Sequence, residues 1–163
     1  MSVSNPPTEA DLIRFVTNEA RLIDTRQFEA WYDLFAEDGY YWVPLTPGQP
    51  DGINHTSLAY EDRFLLQLRI ERLKTPNAFA QHPQSRCLHV LQQPEVETYD
   101  PEANDYVTRT PFLYVETRGD EQQVYAATAF HHLRTEGGAL KIRLKRVDIL
   151  NCDAALPSIQ LFL

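Results

Sequence analysis

Apolar residues follow two rhythms along this chain. In the first third, Leu12, Phe15, Val16, Ala20 and Ile23 recur three and four positions apart, the stripe of a helix of about four turns. Thr8 followed by Asp11 supplies a capping box for its start. Asp24-Thr25-Arg26-Gln27 repeats that spacing, so Asp24 is expected as the N-cap of a second helix. Phe28, Trp31, Tyr32, Leu34 and Phe35 supply its bulk before Asp38-Gly39 stops it. Residues 40–45 are short and aromatic, which predicts a strand. The breaker-rich run 47–56 reads as a loop, and residues 58–74, with Phe64, Leu65, Leu68 and Leu73 between charges, predict a third helix ended by Thr75-Pro76. Residues 77–86 read as a second loop.

From there the rhythm changes to β-rich runs at 87–97, 106–118, 124–134 and 140–150, separated by turn-forming clusters at 100–105, 119–121 and 136–138. Helices first and long strands after predict an α+β fold in which helices cover one face of a curved antiparallel sheet. In the last run Leu140, Ile142 and Leu144 share one parity and Val147 and Ile149 the other, so a bulge or bend is expected across Lys145-Arg146. No repeat divides the chain, and residues 8–163 read as one domain behind a loose arm at 1–7.

Composition narrows the partners. A net charge of −8 argues against nucleic acid, whose phosphates call for a basic surface. Lys141, Arg143, Lys145 and Arg146 form the one basic cluster; alternation with Ile142 and Leu144 predicts a solvated or subunit-facing strand face. Cys87 and Cys152 match no zinc or redox spacing, which predicts reduced thiols and a cytoplasmic protein. No run is apolar enough for secretion or for crossing a membrane.

Several stretches together resemble the small (β) subunit of aromatic-ring-hydroxylating dioxygenases. They are Glu19 with Leu22-Ile23-Asp24, Phe28-Glu29-Ala30-Trp31, Leu34-Phe35-Ala36-Glu37-Asp38, Tyr41-Trp42-Val43-Pro44-Leu45, and Tyr60-Glu61-Asp62-Arg63 with Leu66, Arg69 and Arg72-Leu73. Pro83-Gln84-Ser85-Arg86 and the final Ile159-Gln160-Leu161-Phe162-Leu163 complete the set. The resemblance implies a nuclear-transport-factor-like, or cystatin-like, fold: a cone-shaped curved antiparallel sheet with three helices on one face. It also implies a structural, non-catalytic subunit in aromatic compound catabolism, forming a homotrimer that docks beneath three large (α) subunits. Those large subunits would hold the Rieske iron–sulfur cluster and the mononuclear iron.

The residues agree with a chain that has no catalytic, cofactor or metal site of its own. A Rieske centre needs two Cys and two His in paired motifs, and Cys87 with His89 has no second pair. His131 and His132, adjacent on an expected strand, point to opposite sides and cannot readily grip one iron. Trp31, Tyr41, Trp42 and Arg86 are the expected interface residues, since aromatics and arginine anchor interfaces. The competing reading is a stand-alone dehydratase, isomerase or cyclase of the same fold. In it Asp24, Tyr40 or Tyr41 and one of His89, His131 or His132 would move a proton in an apolar pocket, although no spacing links acid to base.

Overall fold

The capping box at Thr8 forms: its hydroxyl accepts from the Asp11 N–H, and the Asp11 carboxylate accepts from the Thr8 N–H. Helix α1 (Glu9–Asp24) follows and buries Leu12, Val16, Ala20 and Ile23, together with Glu19. The computed structural model describes residues 5–75 and 84–163; the expected arm up to Ser4 and the expected loop from Asn77 to Pro83 lie outside the described residues. Pro7, the last residue of that arm, is buried and its carbonyl accepts from the Tyr99 hydroxyl at 2.7 Å.

The expectation that Asp24 caps a second helix is corrected. Asp24 is the last residue of α1, which closes in a Schellman-type turn: Gln27 N–H donates to Leu22 O at 2.8 Å and Arg26 N–H to Ile23 O at 3.0 Å. The left-handed position falls to Arg26 (φ 58°), where glycine is usual. Helix α2 (Phe28–Tyr32) is accordingly one short piece, and its N-cap, Gln27, makes no side-chain cap. Strand β1 (Phe35–Pro44) starts where helix was expected, because Leu34 and Phe35 reach the last strand: Ile142 N–H donates to Leu34 O at 2.8 Å. Gly39 permits this approach, since a Cβ there would lie 2.7 Å from the Ile142 carbonyl oxygen.

Residues 58–62, read as the start of a helix from sequence, belong to β2 (Ser57–Asp62), which pairs antiparallel with β1 and stacks Tyr60 on Tyr40 at 4.7 Å. Asp62 then caps α3 (Arg63–Lys74), accepting from the Leu65 N–H at 2.9 Å. This helix turns Leu66 and Ile70 inward, while Phe64, Leu65 and Leu68 face solvent. The run expected at 87–97 splits at Gln92-Gln93-Pro94 into β3 (Arg86–Leu91) and β4 (Glu95–Asp100), both laid along β5 (Asp105–Arg118). Strands β6 (Glu121–Glu136) and β7 (Ala139–Ile149) complete an α+β fold with a seven-stranded sheet in the order β2-β1-β7-β6-β5-β3, β4 pairing with β5. It is mostly antiparallel; β1 against β7 is parallel, a departure from the all-antiparallel expectation.

The bulge in β7 is real but sits earlier than its parity predicts. His132 opposes Leu144 and Leu133 opposes Ile142, so Arg143 is the extra residue. Beyond it, Lys145, Val147 and Ile149 face inward, and Lys145 is 2% exposed. Lys141, Arg143 and Lys145 therefore do not share a solvated face, which corrects the sequence reading. Trp31, Phe35, Tyr41 and Phe162 form the aromatic centre of the core, with Trp31 and Phe162 stacked at 4.3 Å.

Candidate functional site

Two polar groupings occupy the inside of the cone. The first is built on Glu19, which α1 points at the sheet, where Lys145 Nζ pairs with its Oε1 and His131 Nε2 lies 3.2 Å from the same oxygen. All three side chains are 2% exposed. Burial alone would raise the Glu19 carboxyl, but the Lys145 ammonium and His131 outweigh it and hold the group far below the ordinary carboxylate range. Burial pushes His131 the other way for an imidazole, downward, so it sits neutral beside the pair. Lys145 also donates to the Leu163 carbonyl oxygen at 2.5 Å, and Leu163 N–H donates to the Tyr41 hydroxyl at 3.0 Å.

That bond belongs to a wider anchor for the segment 160–163. Glu116 accepts from Gln160 N–H at 3.0 Å, from Leu161 N–H at 2.9 Å and from the Tyr114 hydroxyl at 2.7 Å. Arg69 bridges Glu61 and the Leu161 carbonyl, both at 2.6 Å, and lies over the Phe162 ring at 4.3 Å. The segment therefore fills the cone with Leu161 and Phe162, both 0% exposed, and its backbone polar groups are met by side chains.

The second grouping joins α1 to β3. Cys87 and His89, two apart on the strand, both face inward, and the end of α1 brings Asp24 to them. The Asp24 carboxylate takes His89 Nδ1 at 2.6 Å and the His89 backbone N–H at 3.0 Å, and lies 3.6 Å from Cys87 Sγ. His89 is wedged between Phe112 and Tyr114, at 5.6 and 5.0 Å. Burial and the adjacent Asp24 charge push the Cys87 thiol up to about 12. Thus the structure does join an acid to a histidine, Asp24 to His89, which the sequence could not do; Tyr40 and His132 lie apart from that pair, on β1 and on the opposite face of β6. The signal available in the sequence was the Cys87-x-His89 spacing, which sets both residues on one strand face.

His89, Thr110 and His131 line one small cavity of about 10 Å³, and His89 Nε2, His131 Nδ1 and Thr110 Oγ1 have no hydrogen-bond partner. That is room for about one water molecule and for no organic substrate.

Of the expected interface residues, Trp31, Tyr41 and Trp42 are 0%, 1% and 5% exposed, packed in this chain's own core; Trp42 is covered by Arg146 at 4.4 Å and donates to Ser57 Oγ at 2.9 Å. Arg86 alone of the four is exposed. Sequence reasoning missed the surface that does lack cover. On the outer face of the sheet Leu88 opposes Val115, Val90 opposes Leu113, and Val115 opposes Val124. Leu88, Val90, Leu113 and Val124 are 46–58% exposed, and a cleft of about 590 Å³ runs beside them along Pro111, Ala126 and Leu150. Phe64, Leu65 and Leu68 of α3 form a second apolar surface, separate from the sheet face.

The architecture recurs in solved structures. An NTF2-like protein with a cystatin-like fold from Novosphingobium aromaticivorans superposes with a TM-score of 0.61 at 15% identity, covering 87% of this chain and 81% of that one, a likeness of fold alone. The β subunit of benzoate 1,2-dioxygenase from Burkholderia mallei superposes with a TM-score of 0.75 at 27% identity, covering 96% of this chain and 98% of that one. The small oxygenase component of the p-cumate 2,3-dioxygenase system of Pseudomonas putida is 28% identical over 162 residues, covering 93% of this chain and 88% of that protein. Residues 18–154 match the ring hydroxylating beta subunit family, and with these likenesses in sequence and fold the chain belongs to that family, as a small subunit of aromatic-ring-hydroxylating dioxygenases.

Proposed function

We propose that this subunit is structural and non-catalytic, that it forms a homotrimer, and that the trimer docks on three large subunits carrying the Rieske cluster and the mononuclear iron. The observation that carries the reading is the apolar outer sheet face at Leu88, Val90, Leu113 and Val124, a surface that gains by being covered. A closed ring of three uses two different patches on each copy, because its contacts are head-to-tail. The sheet face and the α3 surface supply two. Arg86 shares the outward parity of Leu88 and Val90 and stands at the rim of the sheet face, where a charge contributes register more than affinity.

Two observations support a cytoplasmic setting: Cys87 and Cys152 are unpaired, and no described helix is long and apolar enough to cross a membrane. The proton-transfer reading has one observation in its favour, the 2.6 Å contact of Asp24 with His89. The His89 ring is 2% exposed and its inner cavity of about 10 Å³ holds no substrate. The groove of about 360 Å³ outside it is lined mainly by polar side chains, Thr17, Arg21, Gln92 and Gln93 among them, rather than by the apolar walls of a ligand pocket, so the scaffold reading is preferred.

Light scattering tests it. The protein alone should have about three times its 18.8 kDa chain mass and no stoichiometric iron, and should co-purify with a co-expressed large subunit. A monomer at micromolar concentration, or a one-to-one iron content with a visible chromophore, would overturn the reading.

A further inference from the structure

Asp24, Cys87 and His89 each offer a ligand atom, and these atoms all lie within 4.8 Å of one another. We propose that the three side chains form a binding site for one borderline-soft divalent transition-metal ion of the Zn²⁺ class. Sequence spacing could not reveal it, since two of the ligands come from β3 and the third from the end of α1. The donor set selects the ion. A thiolate and an imidazole disfavour Mg²⁺ and Ca²⁺, which take oxygen ligands, and suit Zn²⁺ with a carboxylate as the third donor.

The geometry is close to what such an ion requires. Zinc–sulfur and zinc–oxygen bonds of about 2.3 and 2.0 Å at a tetrahedral angle set sulfur and oxygen roughly 3.5 Å apart. Cys87 Sγ and Asp24 Oδ1 are 3.6 Å apart. The 2.6 Å contact of Asp24 Oδ1 with His89 Nδ1 has to widen to roughly 3.3 Å, and Asp24, at 16% exposure, is the mobile partner. Asp24 and His89 also line a groove of about 360 Å³ with Thr17, Arg21, Gln92 and Gln93, which admits the ion and a water as fourth ligand. Arg26, a cation near Cys87, donates to the Ser85 carbonyl at 2.8 Å and lies over the Phe28 ring.

Charge and protons balance. Binding displaces the Cys87 proton to solvent, so one carboxylate and one thiolate meet a dication. Coordinated through Nδ1, His89 carries its ring proton on Nε2, which lines the small inner cavity together with His131 Nδ1, an acceptor without a partner in the ion-free state. The ion thus gives both orphaned nitrogens a reason for their placement.

Co²⁺ titration of the tag-free, full-length protein tests the site, because a cobalt–thiolate bond absorbs in the near ultraviolet. One equivalent should saturate this charge-transfer band along with the visible bands of tetrahedral Co²⁺, and one equivalent of Zn²⁺ should bleach both. Cys87→Ser should abolish the charge-transfer band, Cys152→Ser should leave it intact, and Asp24→Asn should weaken binding at least tenfold. No thiolate band with stoichiometric Co²⁺ on the unaltered chain would overturn the proposal, whatever the folding of the variants. So would a band that survives Cys87→Ser.

Discussion

The two faces of the same sheet each depart from the usual division of polar and apolar side chains: charges lie within the apolar core on one, and apolar side chains stand uncovered on the other. The inner face, closed by α1 and the 160–163 segment, holds Glu19, Lys145, His131, Asp24 and Glu116, while the outer face presents Leu88, Val90, Leu113 and Val124 to solvent. The difference lies in how each face is satisfied. Inside, each buried charge has a partner in the chain: Glu19 has Lys145, Asp24 has two donors on His89, and Glu116 has three. Outside, the apolar side chains have no cover among the described residues, and association would stabilise them. A fold whose polar groups are internally paired and whose apolar surface is external is suited to being a component.

The strongest way to break the inner half of this comparison is Lys145→Ala. It leaves the Glu19 carboxylate buried without its cation and should cost about 3–5 kcal/mol, read by urea unfolding. The pair Glu19→Leu with Lys145→Met should recover most of that loss, because burying two charges gains little over packed apolar side chains. A Lys145→Ala cost under about 1 kcal/mol would show that the pair is not energetically buried.

Acid should act on the same triad. Glu19 and His131 both titrate lower in the folded chain than their ordinary values of 4.5 and 6.5, so the unfolded chain binds more protons and stability is present above those values. Unfolding free energy should therefore decline as pH falls below about 6.5 through His131, and further below about 4.5 through Glu19. Chemical denaturation at a series of pH values reads this directly. The double apolar variant should flatten the lower part of the curve.

Asp24→Asn probes the second inner grouping more gently. One of the two contacts with His89 is kept and the charge-assisted one is lost, for a cost on the order of 1–2 kcal/mol. An N-cap role would have made the change nearly silent. The smallest effect on the fold should come from the outer face. Leu113→Asp, 46% exposed at present, should alter protomer stability by about 1 kcal/mol or less, yet shift the scattering mass from trimer towards monomer. A stable trimer in that variant would remove the sheet face from the interface.

Much of the architecture was legible in the chain because it rests on local rules. The Thr8 capping box, the α1 stripe and the three long strands after Asp105 follow from spacing and alternation, and they formed where expected. The errors cluster where a distant partner overrides local preference. Phe35 looks helical beside Trp31 and Tyr32, but β7 takes it as strand; residues 58–62 look helical before α3, but β1 does the same. Asp24 looks like an N-cap because no glycine announces the turn, and Arg26 takes the left-handed position instead.

The sequence by itself determined the class, helices before a long-stranded sheet, and carried the family resemblance in short stretches that survive wherever the chain goes. The sites were decided only by the tertiary structure, because each depends on residues far apart in sequence meeting at one point. A single-residue bulge at Arg143 turns Lys145 from the solvent side to the core, where Glu19 awaits it from α1. The Schellman-type turn ends α1 so that Asp24 meets Cys87 and His89 more than sixty residues later. Alternation in a strand gives the two faces their contents, but one inserted residue exchanges them, and only pairing with the neighbouring strands fixes where that residue falls.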